Sequence, residues 1–133
     1  MMRSLNVSCK IEIFTVINPS EDLQKIETAI SNIFPNAKLK IDDISVSSNS
    51  KDLHILEKIY EHIHYNNLQK IYQRQLENNL ESDTTWFYLN KQAAFIGTIA
   101  LCEEAEESPL GPIKVVLTSS NIDKIIEWLI IKN

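Results

Sequence analysis

Three histidines, His54, His62 and His64, and the carboxylates Glu103, Glu104, Glu106 and Glu107 are the groups whose types could hold a metal. Two histidines grip one ion from a helix when they stand four residues apart, because that spacing puts both rings on one face. Here the offsets are eight and two. Hard cations need carboxylates converging from set positions in a loop, and the glutamate run lacks that spacing. The histidines are expected on a helix face and the glutamates in a solvated loop. Phosphate-cradling loops are built from several glycines, and only Gly97 and Gly111 occur. G-x-S-x-G, P-loop and G-x-G-x-x-G patterns are missing. No carboxylate pair sits in a context that marks it for acid–base work. The residues therefore predict no catalytic site, no metal site and no cofactor.

A second constellation points to binding rather than reaction. If Cys9, Ile11, Ile13, Leu39, Ile41, Phe87, Leu89, Val115 and Leu117 face inward on strands, alternation puts other residues on the opposite face. Those are Lys10, Lys38, Lys40 and Lys114, with the aromatics Trp86 and Tyr88. Lysines that meet phosphates beside rings that stack on bases are how open sheets hold RNA. Lys91, at a corner between strands, is added as a phosphate contact. The competing expectation is that helices or a second subunit cover this face, with the aromatics in a core or interface.

The elements that must position these residues follow from periodicity. Val7 to Val16 alternates as a half-buried strand, with Phe14 and Val16 breaking its polar side. Asn18-Pro19-Ser20-Glu21 reads as a helix start with Asn18 or Ser20 as cap, and Leu23, Ile26, Ile30 and Ile33 form its apolar stripe up to Pro35. Ala37 to Asp42 alternates as a second strand, and Ser45 to Ser50 reads as linker. From Asp52 to about Glu81 the pattern is helical, with stripes Leu53, Leu56, Tyr60, Ile63 and Leu68, Ile71, Tyr72, Leu76, Leu80 broken at Asn66-Asn67. Thr84 to Leu89 is β-branched and aromatic, hence a strand. Asn90-Lys91 fits a tight hairpin into a central strand from Ala93 to Cys102. Pro109 to Pro112 is a turn in which Gly111 supplies positive φ, Ile113 opens the last strand, and Asn121 caps a closing helix. The order β-α-β-α-α-β-β-β-α predicts an α+β domain over 1–133, a mostly antiparallel sheet of about five strands with helices on one face.

Composition agrees with such a domain. The hydrophobic share is 44% and the charged share 23%. No apolar run nears the ~20 residues that span a bilayer, and the first residues do not resemble a signal peptide, so a cytoplasmic protein with no membrane partner is expected. Cys9 and Cys102 each lie in an apolar run and are expected as buried free thiols. The net charge of −5 argues against a chain wrapped all round by nucleic acid and leaves room for a local basic face.

Four strings carry a resemblance: Pro19-Ser20-Glu21-Asp22, Phe87 with Leu89 to Ala94, Pro109 to Ile113, and Ile126-Glu127-Trp128-Leu129. In this order, across nearly the whole chain, they resemble a family of small archaeal proteins of uncharacterised activity. That family is similar in fold to ribosomal protein L-five and belongs to a predicted RNA-binding superfamily. Asn90, Lys91, Gln92, Pro109, Gly111 and Pro112 are its motif residues here. The chain departs from the pattern in its WLIIKN ending and in its middle helices, where Arg74 is the basic anchor. The resemblance implies an RNA or ribonucleoprotein partner and no catalysis. A homo-oligomer, such as a homodimer, without a nucleic-acid ligand is the alternative. An enzyme would need a pocket near Asn90, Lys91 and Gln92.

Overall fold

The structure, a computed structural model, describes residues 5–131. Six strands run antiparallel to every neighbour: β1 (Lys10–Val16), β2 (Lys40–Ile41), β3 (Ser45–Ser50), β4 (Thr84–Leu89), β5 (Leu101–Cys102) and β6 (Ile113–Thr118). Their spatial order is β2-β3-β1-β6-β4-β5. Five helices accompany them: α1 (Leu23–Ile33), α2 (Glu57–Tyr65), α3 (Gln69–Asn78), α4 (Lys91–Phe95) and α5 (Ile122–Ile130). This is an α+β fold.

Alternation decides which face of the sheet closes. Ile11, Ile13, Phe87, Leu89, Ile113, Val115 and Leu117 are all buried against the helical layer. Helix residues from the expected stripes meet them, including Ile26, Ile30, Leu56, Ile63, Tyr72 and Leu76. Two threonines on this face satisfy their hydroxyls internally: Thr15 Oγ1 donates to Pro112 O (3.0 Å) and Thr85 Oγ1 to Leu76 O (2.6 Å). Cys9 and Cys102 are free and buried, and burial pushes the Cys9 thiol up to about 11 despite a backbone hydrogen bond involving Thr118. Asn67 breaks the middle helices at φ 55, a conformation asparagine tolerates.

Several expectations need correction. Ser45–Ser50 is not a linker but β3, paired residue by residue with β1 from Ser45↔Val16 to Ser50↔Ile11. Neighbouring strands, not intrinsic propensity, hold this serine-rich segment extended, with Val46 and Ser48 buried. The Asn90-Lys91 hairpin is instead a helix start: Asn90 Oδ1 accepts the Ala93 N–H at 2.8 Å and opens α4. Ala93 to Cys102 is accordingly no central strand; only Leu101–Cys102 pairs, at the sheet rim. The first helix is capped by Asp22, whose carboxylate accepts the Gln24 N–H, while Asn18 and Glu21 close a turn before it. Ile71 is exposed because it stands one helical position off the Tyr72–Leu76 stripe. Ile41 is exposed on the two-residue rim strand β2.

Gly111 behaves as expected, with φ +87. An added Cβ there would also meet Val16 Cγ2 at 3.1 Å, whereas at Gly97 (φ +84) it would meet open space. Gly111→Ala is expected to cost about 1–2 kcal/mol from backbone strain alone, and more than Gly97→Ala because of that contact. Urea midpoints of the two variants measure the difference.

Candidate nucleic-acid interface

Among the described residues no helix covers the opposite face of the sheet, and its residues on β1, β4 and β6 are half-buried or exposed throughout. Register arranges them in rows across the strands. One row runs Lys40, Ser47, Phe14, Lys114, Tyr88, and the next Asn49, Glu12, Val116, Trp86. Lys10 lies beyond them, opposite Thr118. The structure thus gathers Lys10, Lys40, Lys114, Trp86 and Tyr88 on one surface. Lys38 is exposed two residues before β2 and belongs to no strand. That face carries three lysines against Glu12 in a chain of net charge −5, so the acidic excess lies elsewhere on the molecule.

Local contacts set what these groups can offer. Lys114 Nζ stands 5.0 Å from the centroid of the Trp86 ring, a cation–π contact. Lys10 Nζ lies 3.7 Å from Glu12 Oε1, with both side chains substantially exposed, an ion pair worth little in water. Phe14, at 43% exposure, flanks Lys114 from β1. The expected lysine and aromatic set omits it, although its apolar type at a polar-parity position was the signal.

Lys91 does not join this face. Its side chain is 4% exposed, and its Nζ donates to both Glu21 carboxylate oxygens (3.0 and 3.1 Å), to Val16 O and to Leu110 O (both 2.9 Å). Every ammonium proton has a protein acceptor, so the expected phosphate contact at Lys91 is corrected to a structural one. Burial by itself pushes the Glu21 carboxyl up. Hydrogen bonds from Asn18 and from Lys91, together with the lysine's charge, outweigh it and hold the acid below its ordinary value.

The other motif residues build this junction. Ser108 Oγ accepts the Lys91 N–H at 3.2 Å and lies within 3.0 Å of Gln92 Oε1 and 2.9 Å of Gly111 O, either of which can take its proton. Asn18 Nδ2 donates to Leu110 O at 2.7 Å. Pro109 and Pro112 frame the turn that presents those carbonyls. A cavity of about 290 Å³ adjoins the junction between α1 and α4, walled mainly by Ile26, Ala29, Phe95 and Leu110. The histidines are dispersed: His54 Nδ1 contacts Asp52 Oδ1 (3.0 Å), His64 stacks on Tyr60 with Nε2 2.9 Å from Leu129 O, and His62 meets Tyr72 edge-on. Among the described residues no group of three His, Cys, Asp or Glu side chains gathers, and no helix is long and apolar enough to cross a membrane. Glu103, Glu104, Glu106 and Glu107 are exposed, with Glu103 3.3 Å from Arg74.

Comparison with known proteins places this architecture. A family model described as RNA binding matches residues 10–119, the span from β1 through β6. A UPF0201 protein from Sulfurisphaera tokodaii is 34% identical, the match covering 90% of this chain and 86% of that protein. One from Methanothermobacter thermautotrophicus is 30% identical, covering 90% and 89%. The crystal structure of a UPF0201 protein from Methanococcus jannaschii superposes with a TM-score of 0.77 at 29% identity, over 93% of this chain and 94% of that one. The matched span contains the open face and all three strings that meet at Lys91, and the chain belongs to this archaeal UPF0201 family, whose model is the RNA-binding one.

Proposed function

We propose that this protein binds RNA, alone or within a ribonucleoprotein, on the open face of its sheet, and that it is a binding protein rather than an enzyme. The observation that carries the reading is the register that sets Trp86, Tyr88 and Phe14 among Lys10, Lys40 and Lys114 on a face that no helix among the described residues covers. Aromatic faces supply sequence-tolerant stacking and the lysines supply phosphate contacts. The family's RNA-binding description supports the same reading.

Three phosphate contacts to a single strand give a log–log salt slope of about −2, a loss of roughly 20-fold between 50 and 200 mM salt. Titration of an oligoribonucleotide mixture at both concentrations is expected to return that dependence. Lys40→Glu with Lys114→Glu is expected to abolish binding at the higher salt. Wild-type protein that binds no RNA at the lower salt overturns the reading, and binding untouched by the two substitutions moves the site off this face.

A homo-oligomer closed over this face is the second reading, favoured by the exposure of Phe14 (43%) and Val16 (38%) at one end of β1. Light scattering separates the two, because a stable dimer that excludes RNA supports the second and a monomer that binds RNA supports the first.

A further inference from the structure

The spacing of the rings on the open face says which form of RNA fits, an inference that rests on the RNA-binding reading. Trp86 and Tyr88 are two residues apart on β4 and share the open face. Rings so placed stand roughly 6.8 Å apart along the strand. Bases stacked on one another lie only about 3.4 Å apart. A base seated on each ring is therefore about twice as far from its neighbour as stacked bases are. Phe14 is offset further, across β6 from Tyr88, at about 9.6 Å for two strand spacings. Bases that occupy these rings have left each other's stacks, which a paired helix does not permit and a single strand does.

Lys114 adds a second element. Its ammonium already sits over Trp86, 5.0 Å from the ring centroid, and its strand position lies directly between Phe14 and Tyr88. In the free protein the cation occupies a place over the indole that a stacked base would need. The ammonium is on a flexible four-carbon stem and no carboxylate is paired with it among the described ion pairs, so its departure breaks only the ring contact.

We propose that the open face selects unpaired RNA, whose base replaces the Lys114 ammonium over Trp86 while the ammonium moves to the adjoining phosphate. The exchange keeps the indole covered before and after binding and couples stacking to charge neutralisation at one position. A paired helix offers its phosphates to the lysines and no free base to the rings.

The test compares an unstructured oligoribonucleotide with a hairpin duplex of the same composition, read by tryptophan fluorescence and by competition. Trp128 is buried at 1% exposure, so quenching on addition of RNA reports Trp86. The single strand is expected to bind at least tenfold more tightly and to quench; the duplex is expected to bind weakly without quenching. Lys114→Met is expected to make the log–log salt slope less negative by about 0.7, one phosphate contact, while quenching by the single strand persists. Equal or tighter binding of the duplex overturns the selectivity and leaves the RNA-binding reading standing. An unchanged salt slope in Lys114→Met overturns the exchange. Failure of both RNAs to bind overturns the underlying reading itself.

Discussion

Replacing Lys91 with methionine is expected to cost about 3–5 kcal/mol of stability, because it strands the Glu21 carboxylate in a buried site without its counter-ion. The substitution keeps the length and apolar stem of the side chain, so packing is disturbed little. What disappears is one ammonium that meets a carboxylate and two carbonyls from two distant stretches of the chain, 16–21 and 110. Each kcal/mol moves the melting temperature by roughly 3–6 °C in a domain of this size, so a fall of at least about 10 °C is expected. The double replacement Glu21→Leu, Lys91→Met removes both charges and is expected to regain most of the loss. A single variant as stable as the wild type contradicts the structural role.

The same pair dictates an acid limb. Glu21 is held below its ordinary value in the folded state, so its contribution is complete above the unfolded pKa of about 4.3. It is lost as pH falls through the lower folded value. Glu21→Gln is expected to lose stability less steeply below about pH 4 than the wild type. Asp42 and Asp52, also held low by hydrogen bonds from their neighbours, keep part of that slope in both proteins.

Trp86→Ala is the second large effect. Removing one stacking platform costs about 1–3 kcal/mol of binding, which is a weakening of RNA affinity by roughly 5- to 150-fold. The indole is half-buried outside the helical core, with the Lys114 ammonium against its ring, so stability is expected to fall far less than for truncation of buried Phe87. Truncating Phe87 costs about 3–5 kcal/mol. Affinity and unfolding measured on both variants separate the two roles. Trp86→Ala must weaken RNA binding while remaining folded, and a variant that unfolds without a selective binding defect argues that Trp86 belongs to the structure alone.

The face bearing Trp86 was legible because β1, β4 and β6 pair in unbroken register, so parity holds even where Phe14 and Val16 break the polar pattern. Lys91 was misread for a different reason. A charge in a loop-like string is expected in water, and only long-range folding brings Glu21, Val16 and Leu110 around it. The helix after Asn90 was more accessible than the hairpin reading allowed: an Asn cap followed by Lys-Gln-Ala-Ala combines a cap with strong helix formers. For β3 no local signal existed, since serines favour turns and the pairing with β1 alone makes them a strand. Three of the four strings from which the archaeal family was read converge on Lys91, which gives those three a physical reason to occur together.

The two rims of the sheet are its shortest strands, Lys40–Ile41 and Leu101–Cys102. Each presents a row of backbone groups too brief to template a third party's strand. Growth by edge-to-edge addition, the route to aggregates and to strand-swapped dimers, is thereby disfavoured along β2 and β5. The broad surface that remains is the one where Trp86 and Lys114 lie.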